Sequence, residues 1–380
     1  MAEYDTDVAE LQQGIPVGFP CIVVHHPTEI DHAPGRLNYG GFTDTGGVRL
    51  KLFYCSKRLY KSWLELRHFN PAVVFVDEAA KATELEVLNA IAKYDSRATL
   101  LVGDDKQLRP PIFPRGQRGD NNFADRLGIS LFERLKLAGK ESLLLREQFR
   151  MEAELSTIPS RVCNSSRLID GTGTSLADRP RAQLWARFLR DSYDITGVKM
   201  FLDVKGSLCE QEPTTMSRYN TDNVFAIVSL LRQAFAYGIQ GSEVVVLTPY
   251  AAQRQKYRST FLKLRNATFQ AVDVRTIDSF QGGEATYVIV DMVVTAQLGF
   301  VGDVNRLNVA LTRCRDGLMI VGEIDAARSA ERSKTGHYRE IINLYRASRA
   351  SVTIPAASVE IGEGEEEVPA VEEEEPAVEE

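Results

Sequence analysis

The sequence lacks several features, and each absence excludes a class. There is no run of about twenty apolar residues, so no membrane-spanning helix is expected. The opening MAEYDTDVAELQQGIP has no charged segment followed by an apolar one, so no secretory leader is read there. Cysteine is sparse: Cys21, Cys55, Cys163, Cys209 and Cys314 are scattered, odd in number and free of CxxC spacing. That argues against a zinc knuckle or a disulfide framework and fits a reducing compartment, cytoplasm or nucleus. Basic residues are missing from 351–380, which hold eleven Glu. Removing those eleven from the 52 acidic residues leaves 41 against 45 basic ones. The formal charge of −7 therefore hides a body near +4 with an acidic tail.

What is present is ordinary globular material. Hydrophobic residues make up 44% and charged residues 26%, enough for a core in each of two or three domains at about 150 residues apiece. Short apolar runs rich in β-branched residues recur at 72–76 (AVVFV), 99–103 (TLLVG), 243–248 (EVVVLT), 286–294 (TYVIVDMVV) and 317–322 (GLMIVG). Each has the length and composition of a buried parallel strand. Helix-period stretches lie at 82–94 and 223–238. Alternation of the two predicts an α/β fold with parallel sheets. Residues 1–70 are rich in glycine and proline and are left unassigned and irregular. A polar break near 115–122 separates a first domain at 71–130 from a second at 131–349. Residues 350–380 are expected to be a disordered Glu-rich tail. The His25-His26 pair has no spaced partners and is read as a loop feature rather than a metal site.

The chemistry concentrates at strand ends. The run VVFV ends in Asp77-Glu78, and ligands of open α/β sheets bind beyond the carboxyl ends of strands. Two adjacent acids there suit a metal shell and a base for an attacking water. The next strand runs into GDDKQLRPP at 103–111. Further on come LREQFRM (145–151), VVVLTPYAAQRQ (244–255), VRTIDSFQGGEATYVIV (274–290) and NRLNVALTRCR (305–315). In this order, the segments resemble the superfamily 1 helicases over about residues 70–325. They are most similar to the 5′→3′ branch that includes the nonsense-mediated-decay helicase and senataxin.

The resemblance implies tandem RecA-like sheets with ATP and Mg²⁺ between them and single-stranded RNA or DNA across both. It implies that Asp77 holds Mg²⁺ through water and that Glu78 activates the hydrolytic water. Gln107 would sense the γ-phosphate, and Arg150 and Arg313 would be arginine fingers. Phe149 would stack on the base of ATP, Gly282 would allow close nucleotide approach, and Glu284 would contact the ribose. Thr248, Pro249, Tyr250 and Thr276 would face the nucleic acid. Plainer readings stand beside several of these: a polar strand end for the acids, a loop tie for Gln107, interdomain salt bridges for the arginines, core for Phe149, a tight turn for Gly282, packing or turn roles for Tyr250 and Thr276.

One departure is large. The family's phosphate loop, GxxxxGK[ST], is absent; the one Gly-Lys pair is Gly139-Lys140, followed by Glu141. Lys81 also stands where the family often has Gln. Three explanations stand: a chain beginning inside the first domain, a phosphate loop supplied by another chain, or a non-hydrolysing pseudo-helicase that binds nucleic acid or protein. A first sheet lacking the phosphate-loop strand is expected to be poorly packed or to cover its gap with N-terminal residues. The acidic tail is either a solubilising segment, a competitor for nucleic acid, or a contact for a protein partner.

Overall fold

The computed structural model describes residues 21–25, 50–54, 72–92, 94, 96–110, 124–296, 298–326 and 332–356. Its longer strands form two fully parallel sheets, beside two short two-stranded ribbons among the described residues. The first contains β1 (Cys21–His25), β2 (Leu50–Tyr54), β3 (Val73–Val76) and β4 (Ala98–Leu101) in the order β2-β1-β3-β4. The second contains β5 (Lys199–Lys205), β6 (Val244–Thr248), β7 (Asp273–Thr276), β8 (Ala285–Asp291), β9 (Cys314–Gly322) and β10 (Ser351–Pro355). Its order is β7-β6-β8-β9-β5-β10. This is the α/β architecture of tandem RecA-like sheets that the sequence predicts.

β5 and β7 fall outside the five predicted runs, and three further strands overturn an expectation. β1 and β2 come from the stretch read as irregular, and β1 lies between β2 and the acid-bearing β3. β10 falls within the stretch read as a disordered tail. Ser351–Pro355 instead pair with Phe201–Lys205 of β5 and close that side of the second sheet. The break at 115–122, His26 and residues 357–380 lie outside the described residues.

The cores are unequal. The second sheet carries a large cluster built from β6, β8 and β9, whose valines, isoleucines and leucines are buried on both faces. The first carries a small cluster of Val74, Val76, Ala79, Ala82, Val87 and Leu131. β4 pairs only with β3 among the described strands, and Leu100 on it is 42% exposed.

Local chemistry sets the helices that matter here. Helix α1 (Glu84–Ala92) starts on a reciprocal cap: Glu86 N–H donates to Thr83 Oγ1 at 3.3 Å, and Thr83 N–H donates to Glu86 Oε2 at 2.8 Å. Helix α2 (Thr221–Ala236) is capped by Asn220, whose side chain accepts the Asn223 N–H at 3.0 Å. Helix α3 (Ala251–Lys263) follows β6, and helix α4 (Val304–Leu311) precedes β9.

Candidate nucleotide cleft

The site forms where the carboxyl ends of β3 and β4 meet the segments around 281–284 and 308–313. Asp77 and Glu78 leave β3 directly. Asp77 Oδ1 accepts the Glu78 N–H at 2.8 Å, and Glu78 takes a left-handed φ of 51°. A non-glycine residue in that region is uncommon and marks a constrained turn. The end of β4 packs against the same turn: a Cβ built on Gly103 would sit 2.8 Å from the Ala80 nitrogen, so glycine is required there.

Side-chain bridges cross from one sheet to the other. Gln281 Nε2 donates to Glu78 Oε2 at 3.1 Å. Arg313 Nη2 donates to Gln107 Oε1 at 3.3 Å. Asn308 Nδ2, from α4, donates to the Lys106 carbonyl at 2.9 Å. Gln107 is held on its own side by donating to Asp104 Oδ2 at 3.1 Å.

Arg313 is almost fully buried. Its Nε donates to the Val309 carbonyl at 3.1 Å, Nη1 to the Gly283 carbonyl at 3.4 Å and Nη2 to Thr312 Oγ1 at 2.9 Å. Burial, and then the charge of Arg150, bring its pKa down to about 10. It still carries its charge at neutral pH. The Glu78 carboxyl is pushed above its ordinary range by burial and by the charge of Asp77; Arg313, Lys81 and Gln281 oppose that shift.

Arg150 and Glu284 lie beside this centre. Arg150 Nε donates to Glu284 Oε2 at 2.9 Å and its Nη1 to the Thr312 carbonyl at 3.2 Å. Arg315 reaches the other Glu284 oxygen at 3.1 Å. Both Glu284 oxygens are thus engaged by arginines. Phe149 is 56% exposed, with its ring laid over Gly171, so it is not a core residue. Gly282 takes a φ of 82° and provides the turn expected of it.

The four residues assigned to nucleic acid lie elsewhere, at the carboxyl ends of β6 and β7. Thr248 and Tyr250 are buried, and Pro249 and Thr276 are half-buried. Thr276 Oγ1 donates to Ser279 Oγ at 2.9 Å.

Sequence reading missed four contributors. Gln281 and Asn308 sit inside recognised segments, but an amide beside glycines or in an apolar helix gives no signal of a contact some two hundred residues away. Arg179 donates to the carbonyls of Phe149 (2.9 Å) and Arg150 (2.8 Å) and pairs with Asp316 at 3.0 Å. It therefore fixes the backbone that presents the aromatic ring and the first arginine. Asp291 hides at the end of an apolar run. Its carboxylate is fully buried and accepts from Asn223 Nδ2 (2.7 Å), Val293 N–H (2.9 Å), Gln253 Nε2 (2.5 Å) and Tyr257 Oη (2.7 Å).

The donor set fits one end of a magnesium nucleotide. Gln281 Oε1 and Asn308 Oδ1 are buried without a donor among the described residues. Orphaned acceptors of this kind call for a water or a hydrated cation. No group of three or more His, Cys, Asp or Glu among the described residues is set to hold a metal. Mg²⁺ suits such a site because it keeps several waters and uses one or two carboxylates. Asp77 would hold it, with Arg313 and Gln107 at a terminal phosphate. No phosphate-loop sequence is present for the rest of the triphosphate.

A pair of parallel sheets joined across a cleft by an acid–amide contact and an arginine–amide contact defines a tandem-sheet protein of the RecA-like class. A family model described as an AAA domain matches residues 127–325, more than half of the chain, and a second of the same description matches 60–115. The chain belongs to this AAA-domain family of superfamily 1 helicases. Helicase sen1 of Schizosaccharomyces pombe is 32% identical over 268 residues, covering 68% of this chain and 15% of that protein. The 5′-3′ DNA helicase ZGRF1 of Mus musculus is 32% identical over 260 residues, covering 67% and 13%. Regulator of nonsense transcripts 1 of Caenorhabditis elegans is 32% identical over 285 residues, covering 72% and 24%. The chain thus spans at most a quarter of these three relatives. Superposition on the arterivirus nonstructural protein 10 helicase gives a TM-score of 0.37 at 12% identity over 84% of this chain and 56% of that one, too loose to bear on the fold. No helix among the described residues is long and apolar enough to cross a membrane.

Proposed function

We propose that the chain supplies the acid, sensor and arginine-finger parts of an ATP-dependent helicase that moves along a single strand of RNA or DNA. The observation that carries this reading is the pair of cross-cleft contacts, Gln281 to Glu78 and Arg313 to Gln107. They bring a carboxylate and a guanidinium from opposite sheets close together, which supports a reading in which their alignment depends on closure. ATP with Mg²⁺, when bound, supplies the phosphoanhydride bond to be cleaved.

The chain's own residues then have separable roles. Glu78 takes the proton of the attacking water in its ionised form, and Gln281 orients that carboxylate. Arg313 stabilises charge on the terminal phosphate; a finger of this kind is worth roughly 10³–10⁵ in rate. Gln107, held between Asp104 and Arg313, reports the state of that phosphate. Arg150 becomes a second finger by leaving Glu284, which frees Glu284 Oε2 for the ribose while Arg315 holds the other oxygen. Phe149 offers its exposed ring to the adenine. The half-buried Pro249 and Thr276 form the strand side, the buried Thr248 and Tyr250 support that edge from within, and the body near +4 suits a polyanion. The segments 71–130 and 131–349 act as the two lobes, in cytoplasm or nucleus, with the acidic tail open to a protein partner.

The missing phosphate loop favours a second reading, a pseudo-helicase that binds strands or protein without hydrolysis. Strand binding is common to the helicase and strand-binding readings and is tested first. Fluorescence anisotropy of labelled twenty-nucleotide RNA and DNA with the full chain should show binding that weakens steeply with salt. Absence of binding to both at low salt would overturn them.

A further inference from the structure

The strands of the second sheet are parallel, so their carboxyl ends share one edge. The segments leaving β6 and β7 there carry Thr248, Tyr250 and Thr276. The segment leaving β5 is a hairpin in which Glu210–Gln211 pair antiparallel with Arg218–Tyr219. It crosses to the same place. Ser217 Oγ accepts the Ala252 N–H at 3.1 Å, two residues beyond Tyr250. A Cβ built on Gly299 would lie 2.8 Å from the Tyr250 hydroxyl and 3.9 Å from Arg218 Nη1, which puts both groups around one glycine.

The hairpin is anchored at its base and open at its tip. Asn220 Nδ2 donates to Ser207 Oγ at 3.0 Å and to the Val293 carbonyl at 3.2 Å. Gln253 and Asn220 exchange two hydrogen bonds, of 2.8 and 3.0 Å. The carboxyl ends of β5, β6 and β8 are thereby tied together. At the tip, Met216 is 62% exposed at a left-handed φ of 58°. A ribbon this short cannot sustain itself and adds little to the core.

Its chemistry suits a polyanion with flat bases. Lys256 Nζ lies 4.4 Å from the centre of the half-exposed Tyr219 ring, and Arg218 precedes that ring. The Glu210 carboxylate accepts the Tyr219 hydroxyl at 3.1 Å, which fixes the ring and occupies that acid. Aromatic platforms beside cations are how single strands are held without sequence preference.

We propose that hairpin 208–219, together with Lys256, is a further contact surface for single-stranded nucleic acid. Tyr219 stacks on a base, and Arg218 and Lys256 take phosphates. The proposal rests on the strand-binding reading above and extends its footprint past the Thr248–Tyr250 segment.

Anisotropy with labelled twenty-nucleotide oligo-dT and oligo-U, using the full chain at several salt concentrations, tests it. Tyr219→Ala should weaken binding about tenfold, and Tyr219→Phe should retain it. Arg218→Ala and Lys256→Ala should each make the slope of log affinity against log salt shallower by about 0.7. Arg258→Ala, an exposed change on the same helix, should leave the slope unchanged. Unaltered affinity and slope in the Tyr219, Arg218 and Lys256 variants, beside a wild type that binds, would overturn the hairpin alone. No binding by the wild type would overturn the strand-binding reading and the hairpin with it.

Discussion

Gln281 Nε2 reaches Glu78 Oε2 at 3.1 Å although 203 positions separate the two residues. The contact joins the turn after β3 to the turn before β8 and makes the environment of the base depend on the opposite sheet. The base itself has a pH signature, set by burial and the charge of Asp77 and opposed by the Gln281 hydrogen bond. Glu78 is raised above its ordinary value of 4.5, so the folded state holds a proton over a range where the unfolded chain has lost it. Stability from this group is fully present below 4.5 and falls as pH rises through the raised folded value. Urea midpoints taken from pH 4 upward should show that fall, and Glu78→Gln should flatten it.

Arg313 gives a stability prediction independent of turnover. It is buried and spends its donors on Val309, Gly283, Gln107 and Thr312. Truncation to alanine leaves those neutral acceptors unsatisfied and opens a cavity, a loss of about 1–3 kcal/mol. Arg313→Lys keeps the charge and loses the fork, so it should fall between. Urea unfolding of the full chain measures both.

Gly103 lies where the turns after β3 and β4 pack against each other. With Ala80 N 2.8 Å from a built Cβ, Gly103→Ala must push the two turns apart. The expected cost is about 1–3 kcal/mol. The first sheet has only a small core, so limited proteolysis should cut around 72–110 first in this variant. Wild-type resistance would show that the turns have room.

β10 gives a truncation prediction. Ser351–Pro355 pair with β5, so a chain ending at 350 should melt several degrees below the full chain, while one ending at 356 should match it. Equal melting of all three would mean that the strand contributes nothing.

How much was readable follows from where partners sit. β6, β8 and β9 are buried on both faces and read as plain apolar runs. β5 (KMFLDVK) is just as buried yet was passed over, because Lys199 and Asp203 interrupt it. Lys199 is paired with Glu154, and Asp203 accepts the Ile324 N–H at 2.8 Å and the Thr353 hydroxyl at 3.0 Å. Those partners lie far off in sequence, so the run looks amphipathic. The acids, Gln107 and the arginines were legible because each stands in a segment whose order is itself informative. Gln281, Asn308 and Arg179 were not, since their work is defined by carbonyls and carboxylates that only the fold brings near. Tyr250 reads as a ligand-facing aromatic, yet the fold buries it beneath the Gly299 segment.

The most direct measurement is ATP turnover by the full chain, with and without single-stranded RNA and DNA, beside Glu78→Gln. The account predicts strand binding with no turnover above the Glu78→Gln background, because the acids and fingers are present and the phosphate loop is not. Strand-stimulated turnover that Glu78→Gln abolishes would contradict it and show that these residues hold the whole triphosphate without that loop.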